Sequence, residues 1–138
     1  MYSYDVLYQN ALALLQGLIS IPSFSREEDK TAQLIKNFLN EHKVAVKQEG
    51  YNVYASNKFF DAHKPTLLLN SHHDTVKPNR GYTREPFTAS VEDGKLFGLG
   101  SNDAGGCLVS LIATFLFYYE RNDLPFNIIL AASAEEEV

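Results

Sequence analysis

A single cysteine, Cys107, stands in these 138 residues. It cannot close an internal disulfide, and that usage points to the cytoplasm. Long apolar runs are also missing. The greasiest stretch near the start, Ala11 to Ile21, is broken by Gln16, Gly17 and Ser20; it is too short to cross a bilayer, and no charged-then-apolar leader precedes it. Basic charge is in short supply. Twelve Lys and Arg against 17 Asp and Glu leave a net charge of −5, which repels phosphate backbones and argues against a nucleic-acid partner. No repeat, low-complexity tract or linker divides the chain. With 45% hydrophobic and 21% charged residues, it has the composition of one soluble globular domain with small-molecule or protein partners.

What is present is periodic. Leu7, Ala11, Leu14, Leu15 and Leu18 lie at helical spacing within Tyr4 to Ser20, and Pro22 stops the pattern. Ser25-Arg26-Glu27-Glu28 fits a capping box, so the stripe Ala32, Ile35, Phe38 and Leu39 predicts a second helix to about His42. Val44 to Gln48 and Asn52 to Ser56 read as strands around Gly50. Thr66 to Asn70 is a nearly continuous apolar run of the kind buried on both faces of a sheet. Phe87 to Val91 and Lys95 to Phe97 flank a hairpin turn, Glu92-Asp93-Gly94. Gly105 to about Arg121 carries a third apolar helical face, and Asn127 to Ala132 another strand. The order is that of an α/β fold, with sheet strands joined by crossover helices.

Three polar clusters interrupt this pattern. His72 and Asp74 follow one apolar strand, Asp103 precedes a helix, and Glu135-Glu136-Glu137 follow another apolar strand. Ligands of open α/β sheets bind beyond the carboxyl ends of strands, so the three clusters can meet at one edge. Carboxylates gathered there repel: two unit charges about 4 Å apart cost roughly 4 kcal/mol at an effective dielectric of 20. A helix N-terminus near Asp103 offsets only about 0.3–1 kcal/mol. The nearest arginines are Arg80 and Arg84 in a loop, so a divalent cation is the economical counter-charge; imidazole with carboxylate suits zinc, with cobalt or manganese as alternatives. Residues two apart in an extended segment share a face, so Asp74 can steady His72 while His73 points away.

Each cluster also has a plainer reading. His72 and Asp74 alone are compatible with a polar loop, Asp103 with a simple helix N-cap, and the three glutamates with a solvated acidic tail. The stretch Gly98-Leu99-Gly100-Ser101-Asn102-Asp103-Ala104-Gly105-Gly106 invites a nucleotide loop. It fails, because Asp103 stands where a dinucleotide fingerprint needs glycine and Gly106 where a phosphate loop needs lysine. Cys107 has no base placed for it and reads as small packing; His42 and His63 read as surface residues.

SHHDTV, then PFTASVEDGKLFGLGSNDAGG, then AEEEV, in this order, resemble the zinc aminoacylase, acetylornithine deacetylase and succinyl-diaminopimelate desuccinylase family of metallopeptidases. The resemblance spans nearly the whole chain and implies a three-layer α/β fold in which residues 1–138 form the N-terminal part of a zinc-hydrolase catalytic domain. It implies two zinc ions per complete site: His72 on one, Asp103 bridging both, Glu137 on the other, Glu136 as general base and Asp74 steadying His72. A slip of one residue would pass these last roles to Glu135 and Glu136. A cis peptide at Asp103–Ala104 is implied as well. So are hydrolysis of an N-acyl amino acid of the acetylornithine type, with desuccinylase or dipeptidase activity as alternatives, and a homodimer made through a further domain. The remaining ligands, an acid and a histidine, are expected after Val138, so these residues by themselves are expected to bind zinc weakly and turn nothing over. The competing reading is a non-catalytic α/β module whose acids hold a structural cation or a partner.

Overall fold

The computed structural model describes residues 2–138. Helix α1, Tyr4–Ile19, starts at Ser3, whose Oγ accepts the Val6 amide, and buries Leu7, Leu14, Leu15, Leu18 and Ile19 along one side. Helix α2, Asp29–Glu41, buries Thr31, Ala32, Ile35 and Leu39. The capping box expected at its start does not form. Glu28 is the cap residue without a side-chain cap, and the Ser25 hydroxyl donates instead to Asp74 Oδ2 at 2.7 Å.

Strands β1, Val46–Glu49, and β2, Asn52–Ser56, form the hairpin around Gly50. Strand β3 is Thr66–His72; β4, Ser90–Glu92, and β5, Lys95–Phe97, make a separate small hairpin. A turn, Ser101–Gly105, leads into α3, Gly106–Tyr118, and β6, Asn127–Ser133, closes the sheet. β4 begins later than the apolar pattern from Phe87 predicts, because Thr88 donates its amide to the Glu85 carbonyl in a turn.

The main sheet has the order β1-β2-β6-β3. β3 runs parallel to β6 in register, and β2 runs antiparallel to β6. One core unites the three helices with Val53, Ala55, Ile128, Leu130 and Ala132, the alternate residues of β2 and β6. Phe115, Ile35 and Leu39 are its largest fully buried side chains. The α/β layering read from the sequence is therefore present, with the sheet mixed rather than all parallel.

One strand departs from expectation. β3 is not buried on both faces: it lies at the sheet edge, with Leu67 49% and Leu68 58% exposed. β6 takes the central place, because it is flanked by β2 on one side and β3 on the other.

Candidate metal centre

The register puts His72 opposite Ser133, so parallel β3 and β6 end at the same edge of the sheet. The chain that crosses between them passes through the Ser101–Gly105 turn, which carries Asp103 to that edge. The Asp103–Ala104 peptide is cis. Thus three segments remote in sequence deliver His72, Asp103 and the acidic triplet to one place.

Donor atoms of His72, Asp103 and Glu137 all lie within 4.8 Å of one another. His72 Nε2 is 3.1 Å from Asp103 Oδ1 and 3.8 Å from Glu136 Oε2. Its Nδ1 is 3.1 Å from the Asp74 carbonyl oxygen and 3.3 Å from Asp74 Oδ1. An acceptor at Nδ1 keeps the proton on that nitrogen, so in neutral His72 the Nε2 lone pair faces a carboxylate. Two electron-rich atoms at 3.1 Å need a proton or a cation between them. The donor set therefore fits a divalent metal: one imidazole whose other nitrogen is already held, with carboxylates from two further elements. Among the described residues no arginine pairs with Asp103 or Glu137; Arg26 reaches toward Glu135 at 3.6 Å and Arg84 is paired with Glu92.

Asp74 is completely buried. Its Oδ2 accepts the Ser25 hydroxyl at 2.7 Å and the Glu137 amide at 2.9 Å. Burial pushes its pKa up, but those donors and the Glu136 amide outweigh burial and hold it below the usual carboxylate range. For His72, burial pulls down, yet the hydrogen bond to Asp103, the Asp74 carbonyl and the charges of Asp74 and Glu136 leave it above the ordinary histidine value. Burial wins at His73, whose pKa is lowered.

His73 points away from the cluster, as alternation along the strand predicts. It is buried all the same, with Nδ1 2.9 Å from Thr31 Oγ1 and Nε2 3.0 Å from the Tyr51 carbonyl. Three minor readings change. Cys107 is exposed rather than packed, because it lies on the outer side of α3. His42 is half-buried, held by the Phe38 carbonyl at 2.8 Å and by Asn10 at 3.1 Å. Ser25 and Glu28 belong to the site's surroundings, which the sequence pattern concealed because S-x-x-E reads equally well as a helix cap.

Within the triplet, Glu135 turns toward Arg26, Glu136 toward His72 and Glu137 joins the donor cluster. Beside Asp103 and Glu137 opens a cleft of about 510 Å³, walled by Tyr82, Arg84, Phe97 and Asn102.

The chain is similar to known proteins along most of its length. The profile of Peptidase family M20/M25/M40 matches residues 68–138. The chain is 29% identical to a succinyl-diaminopimelate desuccinylase of Beijerinckia indica over 94% of its own length, and 30% identical to an acetylornithine deacetylase of Edwardsiella ictaluri over 91%. It spans 36% of each of those relatives. An M20 family metallo-carboxypeptidase from Sulfolobus solfataricus superposes with a TM-score of 0.74 at 28% identity, covering 92% of this chain and 31% of that one. The matched segment holds His72, Asp74, Asp103, Glu136 and Glu137 together, and on this footing the chain belongs to peptidase family M20/M25/M40.

Proposed function

We propose that this chain carries the metal-binding centre of a cytoplasmic hydrolase that cleaves the amide bond of an N-acyl amino acid, with acetylornithine-type deacetylation the preferred form. The observation that carries the reading is the convergence of His72, Asp103 and Glu137 donor atoms within 4.8 Å, with the far nitrogen of His72 already held by Asp74. These three residues would hold zinc, Asp103 shared between two ions, with cobalt or manganese as substitutes. Bound divalent cations supply Lewis acidity that polarises a carbonyl and acidifies water.

The chain's own side chains do the rest. Glu136 stands beside the cluster on a 60% exposed side chain, free to accept a proton at its carboxylate. As water oxygen bonds to the acyl carbon, Glu136 takes the proton; as the C–N bond breaks, it delivers that proton to the departing nitrogen. A free carboxylate and an amine leave. Asp74 keeps the imidazole of His72 in one orientation throughout. The cleft walled by Tyr82 and Phe97 is where the substrate's amino-acid portion would lie. The unslipped frame of the triplet is favoured, because Glu137 and not Glu135 joins His72 and Asp103.

Zinc titration of the 138-residue chain tests the site: wild type binds, and His72→Ala and Asp103→Ala each abolish most of the binding. Equal binding by wild type and His72→Ala would end the proposal. In a protein of the relatives' length carrying this segment, Glu136→Ala lowers kcat on N-acetylornithine by about 10²–10⁴-fold while metal content stays unchanged. An activity untouched by that substitution would favour the non-catalytic module.

A further inference from the structure

Glu28 is fully buried, and the chemistry just described makes no use of it. Its Oε1 accepts the Glu135 amide at 2.8 Å, while Oε2 meets no hydrogen-bond donor among the described residues. A carboxylate withdrawn from water is costly, and a residue serving only to fill that space would be apolar. The amide it holds is unusual in turn. Glu135 has φ 59, a left-handed backbone uncommon outside glycine and asparagine.

The wider arrangement explains both features. Residues 23–31 run beneath the segments that carry the donor cluster and bond to those segments at several points. The Ser23 carbonyl accepts the Thr75 amide at 2.8 Å, Ser25 donates to Asp74 at 2.7 Å, Glu28 accepts from Glu135, and Thr31 meets His73 at 2.9 Å. The acidic triplet hangs from two buried carboxylates: Glu28 holds the amide of Glu135, and Asp74 holds that of Glu137. Between these fixed points the left-handed turn at Glu135 directs Glu136 toward His72.

We infer that Glu28 is a positioning residue, whose buried carboxylate fixes the backbone of Glu135 and thereby the directions in which Glu136 and Glu137 leave the sheet edge, without touching metal or substrate. Its effect on metal rests on the site reading above; its effect on the backbone does not. The two are measured separately on the 138-residue chain. Glu28→Ala removes the acceptor, and amide hydrogen exchange at Glu135 rises about tenfold or more while amides of the β6 core strand keep their protection. Glu28→Gln keeps an acceptor oxygen of the same reach and restores protection at Glu135.

Cobalt titration followed by visible absorption gives the second readout. Affinity for Co²⁺ falls about 10–100-fold in Glu28→Ala, its ligand-field spectrum changes, and Glu28→Gln recovers both. Unchanged exchange at Glu135 in Glu28→Ala overturns the inference, and so does a wild-type cobalt affinity in that variant. If Glu28→Ala does not fold, Glu28→Asp, which retracts the carboxylate by one methylene, is put through the same two measurements. A wild-type chain that binds no cobalt removes the metal-site reading alone, because hydrogen exchange still decides Glu28.

Discussion

His72 and His73 are adjacent, chemically identical and both buried, yet their surroundings give them opposite tasks. His72 has one nitrogen on Asp74 and turns the other to the carboxylates of Asp103 and Glu136. His73 has both nitrogens spent on Thr31 and Tyr51, tying α2 and the β1–β2 hairpin to the end of β3. The difference comes from alternation: side chains of successive extended residues leave opposite faces. Removing His73 therefore strips a partner from the buried Thr31 hydroxyl and one from the partly buried Tyr51 carbonyl without touching a donor of the cluster. His73→Ala is expected to lower unfolding free energy by about 1–3 kcal/mol in urea titration while zinc binding persists. A loss of zinc binding with full stability would reverse the assignment of the two histidines.

At the scale of elements, helix ends decide how the segments enter the site. α2 closes with a six-to-one and a five-to-two hydrogen bond, Val44 amide to Leu39 carbonyl at 3.1 Å and Lys43 amide to Asn40 carbonyl at 2.9 Å. That motif places residue 43 in the left-handed region, and the chain has Lys43 there with φ 62. Its side chain is exposed, so the helix closure depends on the backbone shape and not on lysine. Lys43→Gly is expected to raise stability by about 0.5–1 kcal/mol, read as a higher urea midpoint with an unchanged slope. At the other end of α2, the motif Ser25 to Glu28 was legible as a sequence pattern but not as to its partner. Both side chains bond to the supports of the donor cluster rather than to the helix's first amides, because Asp74 and the Glu135 amide reach them in the folded chain.

For the molecule as a whole, the sheet is covered unevenly. The helices seal one face around Ile128 and Leu130, while Tyr54 and Ile129 on the alternate positions are only half-buried and β3 offers an unpaired edge. Among the described residues, no helix is long and apolar enough to cross a membrane, so the exposed leucines are not part of such a span. An edge strand with apolar side chains and no proline or lysine within Thr66–His72 lacks the features that discourage strand-to-strand association. Leu68→Lys puts a charge on that edge. It is expected to raise the concentration at which the 138-residue chain begins to aggregate, followed by static light scattering, with little change in unfolding midpoint because Leu68 is 58% exposed. β6, the last strand in the chain, is enclosed by neighbours on both sides, so the exposed edge belongs to β3.

Helices, the two hairpins and the chemical character of the site were determined by sequence, because helical and alternating periodicities, turn residues and the types of metal-ligating side chains are properties of short segments. The same is true of which histidine faces the acids, since alternation is local. Strand order, the edge position of β3, the burial of Glu28 and which of the three glutamates comes within 4.8 Å of His72 and Asp103 were decided by tertiary structure alone. Each depends on which distant segment arrives beside a given residue, and an apolar run or an S-x-x-E pattern is identical in sequence whichever neighbour the fold supplies.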